Sequence, residues 1–151
     1  TFGYAGVFIA TLVGNASIIF PTPTFLIIIA SGAFLNPLLV GLVGGLGSSI
    51  GELTSYLAGF AGGKLAIRER KSLRKHFMKA ESWFEHHSSF FVIFIFSVLT
   101  LPFEIIGIIL GAIKYDLKKF LLETLIGKII KMTVLALGGF YGIEVLLGYF
   151  G

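Results

Sequence analysis

The first charged side chain in this protein is Glu52; the residues before it contain no Asp, Glu, Lys or Arg. Such a stretch cannot be the surface of a soluble domain, because contiguous exposed apolar area drives association in water. Over all 151 residues, 56% are hydrophobic and 13% are charged, where a soluble domain carries roughly 25% charged residues. That balance excludes disordered, coiled-coil and nucleic-acid-binding classes and implies an integral membrane protein. The net charge of +4 fits a basic excess on one side of a bilayer. With no cysteine there is no disulfide, thiolate metal site or Cys nucleophile. The chain begins at Thr1, with no cleavable-leader pattern, and residues upstream of it are expected.

Proline and charge divide the apolar sequence. Phe2 to Phe20 precedes the Pro21-Thr22-Pro23 break, and Thr24 to Leu35 precedes Asn36-Pro37. Leu38 to Gly62 is one long helical run. Lys64 to Lys79 is strongly basic, and Ser88 to Leu101 leads to a break at Pro102. Phe103 to Ile113, a charged turn at Lys114 to Lys119, and Phe120 to Gly142 complete the pattern. A spanning helix needs about 20 apolar residues. The segments on either side of Pro102 are too short to span alone, and proline removes a donor and disfavours helix just before it. They read as a re-entrant hairpin. Leu38 to Gly62 and Leu117 to Gly142 are long enough to cross.

An internal repeat supports the division. A shift of 79 residues aligns Pro23 with Pro102, Gly32-Ala33 with Gly111-Ala112, Thr54 with Thr133 and Gly59 with Gly138. Twelve of the 41 positions from 23 to 63 are then identical without a gap. If the basic segment is cytoplasmic, the turn at Lys114 to Lys119 is on the same side and the first hairpin enters from the other. The expected fold is an all-α polytopic membrane protein with two inverted-topology repeats, each a re-entrant helical hairpin followed by a long transmembrane helix. Repeat 1 spans 2–63 and repeat 2 spans 88–142, joined by a basic amphipathic linker over 64–87 and followed by a tail at 143–151. Within that linker, Leu73, Phe77, Ala80 and Phe84 share one helical face beside Trp83, as expected of a helix lying on an anionic leaflet.

Three groups of residues resemble the DedA family, within the superfamily whose shared unit is the VTT (SNARE-associated) domain. The first is Pro21-x-Pro23 followed by Gly32. The second is Gly51-Glu52-x3-Tyr56-x2-Gly59-x2-Gly62, and the third is Pro102-Phe103-Glu104 through Gly111, then Phe120 and Gly127-Lys128. The resemblance implies movement of lipid between leaflets: polyprenyl-phosphate carriers in prokaryotic members, phospholipids in eukaryotic relatives. Asn15 and Phe25 lie near positions where bacterial members usually carry acids, and Leu99 and Ile105 where arginines are expected.

The candidate site follows from charges within apolar sequence, which must face protein or water. Glu52 and Lys131 are equivalent under the 79-residue shift and central in their helices, so they are expected to pair across the repeat interface. Such a pair would either guide a phosphate headgroup or proton, or fix helix register. Glu104 falls at the tip of the second hairpin. Glu123 and Lys128 are shallower and expected to snorkel or pair locally; with Asn15 and Tyr56, Lys128 is also a candidate for lining a cavity. Pro21, Pro23 and Pro102 are the expected hairpin breaks. Gly47-Ser48-Ser49-Ile50-Gly51 matches a serine-nucleophile motif, but inside a membrane helix it lacks the required strand-to-helix turn. His86-His87 has no third ligand nearby, so no metal, cofactor or enzymatic activity is expected. The expected function is a lipid translocase or scramblase in the plasma membrane. A coupled small-solute transporter and a non-catalytic scaffold are the alternatives. Membrane lipids with anionic or polyprenyl-phosphate headgroups are the expected partners, nucleic acid is not, and association into a homo-oligomer stays open.

Overall fold

Proline and Asx residues set the helix boundaries. In the computed structural model, which describes residues 3–16, 23–69, 78, 82, 89–98 and 103–150, helix starts at Thr24 directly after Pro23 and at Phe103 directly after position 102. The six helices among the described residues are α1 (Gly3–Ala16), α2 (Thr24–Phe34), α3 (Pro37–Glu69), α4 (Ser89–Val98), α5 (Phe103–Ala112) and α6 (Leu117–Phe150). The described residues contain no strand.

Both long helices begin on a side-chain cap. Asn36 Oδ1 accepts from the N–H groups of Leu38 (3.0 Å) and Leu39 (3.3 Å), and Pro37 fills the first helical position, where no donor is required. Asp116 Oδ1 accepts from the Lys119 N–H at 2.9 Å. Before it, α5 ends in a Schellman motif: Tyr115 N–H donates to the Leu110 carbonyl at 2.9 Å and Lys114 N–H to Gly111 at 3.0 Å. Lys114 takes the left-handed conformation this requires, with φ 56°.

The two long helices extend further than their apolar runs suggest. α3 continues past Gly62 to Glu69, into the segment expected as a separate linker; the rest of that basic segment lies outside the described residues apart from Met78 and Ser82. The expected tail at 143–151 is helical through Phe150, because no proline interrupts α6. Among the described residues, one helical stretch, Pro37–Gly62, is long and apolar enough to cross a membrane.

Glycine lets these helices meet backbone to backbone. A Cβ added at Gly41 would strike Thr133, and one at Gly45 would strike Ile129. Four residues up α3 are therefore four residues down α6, so the two run antiparallel. Gly47 and Gly51 receive α1 at Thr11 and Asn15, while Gly107 and Gly111 of α5 receive α3 at Ser55 and Tyr56. The short helices divide between the long ones: α1 and α5 pack mainly on α3, and α2 and α4 mainly on α6. α1 and α2 still form an antiparallel pair, since Gly3 at the start of one lies near Leu35 at the end of the other, and the Asn36 N–H donates to Tyr4 Oη at 3.2 Å.

Two buried clusters result. Val7, Ile28, Val40, Met132 and Ala136 form one toward the α2–α3 turn. Tyr56, Ile93, Leu110 and Phe120 form the other toward the α5–α6 turn, with Tyr115 packed against them.

Candidate functional site: a buried ion pair between the long helices

Between the two clusters, Lys128 Nζ lies 2.7 Å from Glu52 Oε1. Their side chains are 4% and 0% exposed, so both charges are removed from solvent and each depends on the other. The same ammonium donates to Asn15 Oδ1 at 3.4 Å, and Asn15 Nδ2 donates to the Thr11 carbonyl at 2.7 Å. Ser55 Oγ lies 3.4 Å from Glu52 Oε2 and 2.7 Å from the Glu52 carbonyl. The site thus takes Glu52 and Ser55 from α3, Lys128 from α6 and Asn15 from the last turn of α1.

Helix direction explains the pairing. Side chains on a helix lean toward its N-terminus. Because α3 and α6 are antiparallel, Glu52 leans toward the level of Lys128 and Lys128 leans toward the level of Glu52. The register set by Gly41–Thr133 and Gly45–Ile129 puts Glu52 level with Leu122 and Lys131 level with Val43. Nine residues of axial offset, about 13 Å at 1.5 Å per residue, separate the two equivalent positions. This corrects the expected Glu52–Lys131 pair: the partner at ion-pair distance is Lys128, one turn earlier. Lys131 is half-buried. Lys128 is also deeper than a snorkelling residue, at 3% exposure.

The other candidates fall as follows. The first turn of α5, which carries Glu104, precedes Gly107 and so lies near the level of Glu52, since Gly107 abuts Ser55. The Glu104 side chain, Pro21 and Pro102 lie outside the described residues. Pro23 is exposed at the start of α2, its carbonyl accepting from the Leu26 N–H at 3.0 Å. Tyr56 is buried, but its hydroxyl donates to the Tyr115 carbonyl and its ring packs on Phe120 at 5.0 Å between centroids. It braces the α5–α6 turn. Glu123 does pair locally, accepting from the Tyr115 hydroxyl at 3.0 and 3.1 Å.

Sequence reasoning missed Ser55 and Thr11 as supports of the site. The spacing of Ser55 three residues after Glu52, on the same helical face, was a usable signal. Ser48 and Thr124, each four residues before a member of the ion pair, are fully buried, and their hydroxyls have no hydrogen-bond partner among the described residues. No cluster of three or more His, Asp or Glu suited to a metal occurs among the described residues.

The described residues are helical or in turns, with one helix long and apolar enough to cross a membrane and a charge pair buried near its middle. Residues 20–141 match the family model of the VTT domain, the domain of the DedA family. The chain belongs to that family, whose members are membrane-associated. No curated protein and no solved structure matches it.

Proposed function

We propose that this protein moves a phosphate-bearing lipid between the leaflets of a membrane, and that Glu52 and Lys128 lie on the path of the headgroup. The observation carrying this reading is the ion pair itself, placed near the middle of the Pro37–Gly62 span with Asn15 and Ser55 beside it. Ionisable groups at that depth are costly in a purely structural role. A lipid crossing needs polar groups for its head while its tails remain in hydrocarbon, and short helices ending at mid-depth supply them.

In this arrangement α3 and α6 cross the bilayer in opposite directions. The pairs α1–α2 and α4–α5 are re-entrant from opposite faces. α1, α2, α4 and α5 have 14, 11, 10 and 10 residues, or about 15–21 Å of helix against a hydrocarbon core of about 30 Å. The basic segment 64–87 and the turn at Lys114 to Lys119 then face the cytoplasm. The protein acts as a multi-pass carrier rather than an enzyme. Lys128 supplies the attraction for phosphate, and Glu52 holds it in place between passages.

The test is lipid flux in proteoliposomes carrying fluorescent or dithionite-reducible lipids. Movement of polyprenyl phosphate or glycerophospholipid above protein-free liposomes, lost in Lys128→Met, is the expected result. No flux of any phosphate-bearing lipid from folded protein would exclude the reading, and solute uptake driven by a pH gradient would favour a coupled transporter instead.

A further inference from the structure

Beside the ion pair, the seam between α3 and α6 opens on its outer side into an apolar groove of about 370 Å³. Its walls are Leu46, Ser49 and Ile50 of α3 and Leu121, Leu122 and Leu125 of α6, with Lys118 at one end. Ser49 and Leu125 each precede a member of the buried pair by three residues. Leu46, Ile50 and Leu122 are 38%, 45% and 58% exposed, so the walls present methyl groups outward. The serine hydroxyl is satisfied internally by the Gly45 carbonyl at 2.7 Å, leaving the floor apolar.

We infer that this groove binds one anionic glycerophospholipid, its phosphate on Lys118 and one acyl chain along the leucine walls. The occupant follows from charge and depth. Lys114, Lys118 and Lys119 stand against a single carboxylate, Asp116, within six residues, and all four are exposed. The Asp116 carboxylate caps α6 through the Lys119 N–H, so the turn keeps a positive excess toward the headgroup region. From Lys118 to Leu125 the groove descends about 10 Å along the helix. That fits an acyl chain hanging inward from a headgroup at the surface, since half the hydrocarbon thickness is about 15 Å. A zwitterionic lipid fills the same walls, but the choline cation beside its phosphate offsets the attraction to Lys118.

The site rests on the membrane orientation proposed above and not on transport. Its test is therefore an equilibrium one. Leu122→Trp in a Trp83→Phe background places the chain's only indole in the groove wall. Quenching by dibrominated phosphatidylglycerol is compared with quenching by dibrominated phosphatidylcholine in mixed bilayers. Binding of the anionic lipid should be tighter by about five-fold, the attraction one surface lysine gives, and should weaken with added salt. Lys118→Gln should bring the two lipids to parity. Equal binding in the parent, or a preference that survives Lys118→Gln, overturns the assignment. Stronger displacement by polyprenyl phosphate than by unbrominated phosphatidylglycerol also overturns it, in favour of a carrier lipid. Leu121→Trp serves if the first probe fails to fold. Loss of lipid flux with the preference intact would remove the translocase reading and leave the site standing.

Discussion

The hydroxyl of Tyr56 donates to the backbone carbonyl of Tyr115, joining residues 59 apart in sequence. The contact ties the middle of α3 to the turn that aims α6, and Tyr115 passes the connection on to Glu123 through its own hydroxyl. Tyr56→Phe keeps the ring on Phe120 and removes only the donor. It should lower stability by about 1 kcal/mol, the ordinary worth of one buried hydrogen bond, read as thermal unfolding in detergent. A Tm unchanged in Tyr56→Phe would show that ring packing alone holds the turn.

The ion pair makes a second prediction. Glu52→Gln or Lys128→Met each leaves the other charge buried, at a cost of about 3–5 kcal/mol, whereas the double neutral variant should recover much of the loss. The exchange Glu52→Lys with Lys128→Glu should fold if the pair serves register. Strictly additive losses, at equal expression, would show that the two are not coupled.

Lys114 pays for its left-handed backbone without the usual glycine. Lys114→Gly should therefore raise stability by about 1 kcal/mol. Lys114→Ala, which keeps the strained conformation and loses only the long side chain, should stay within about 0.5 kcal/mol of the parent. Comparable gains in both variants would place the cost in the lysine charge.

The glycines separate into two kinds. A Cβ at Gly32 or Gly111 would fall on the backbone of Ala136 or Tyr56, whereas one at Gly138 or Gly142 meets nothing within 4 Å among the described residues. Alanine at Gly32 or Gly111 should cost roughly 1–3 kcal/mol or prevent folding. Alanine at Gly138 or Gly142 should be neutral or stabilising by up to about 1 kcal/mol, as helix propensity predicts. Equal effects at the four sites, measured by unfolding in detergent, would contradict the close helix contacts.

Topology is open to labelling because the chain has no cysteine. Asn36→Cys and Lys118→Cys lie at the starts of two antiparallel helices and are both exposed. An impermeant thiol reagent should reach them from opposite faces of sealed vesicles. Labelling of both from one face would show that α3 and α6 do not both cross.

Much of this fold was legible where proline and Asx residues act locally. The helix starts at Thr24 and Phe103, the break at Asn36-Pro37 and the long helices after each turn all follow from neighbouring residues. The partner of Glu52 was not, for a geometric reason. The repeat identifies which positions correspond, but contacts across antiparallel helices depend on where the helices cross. The glycines at 41 and 45 fix that point, and it brings Lys128 rather than Lys131 within reach. The division of the short helices between α3 and α6 was hidden for a similar reason: Gly32, Gly107 and Gly111 mark faces of α2 and α5 that pack closely, but not which long helix receives each.

The two buried clusters on either side of the ion pair have unequal consequences for anything charged. On the Lys114–Asp116 side, the hydroxyls of Tyr115, Tyr56 and Ser55 and the Glu123 carboxylate stand among the apolar side chains. Beyond the pair, toward Asn36, the core of Val7, Ile28, Val40, Met132 and Ala136 contributes methyl and thioether groups alone. A charge seated between α3 and α6 therefore finds more hydrogen-bonding neighbours on the Lys114–Asp116 side of the pair than within the cluster toward Asn36.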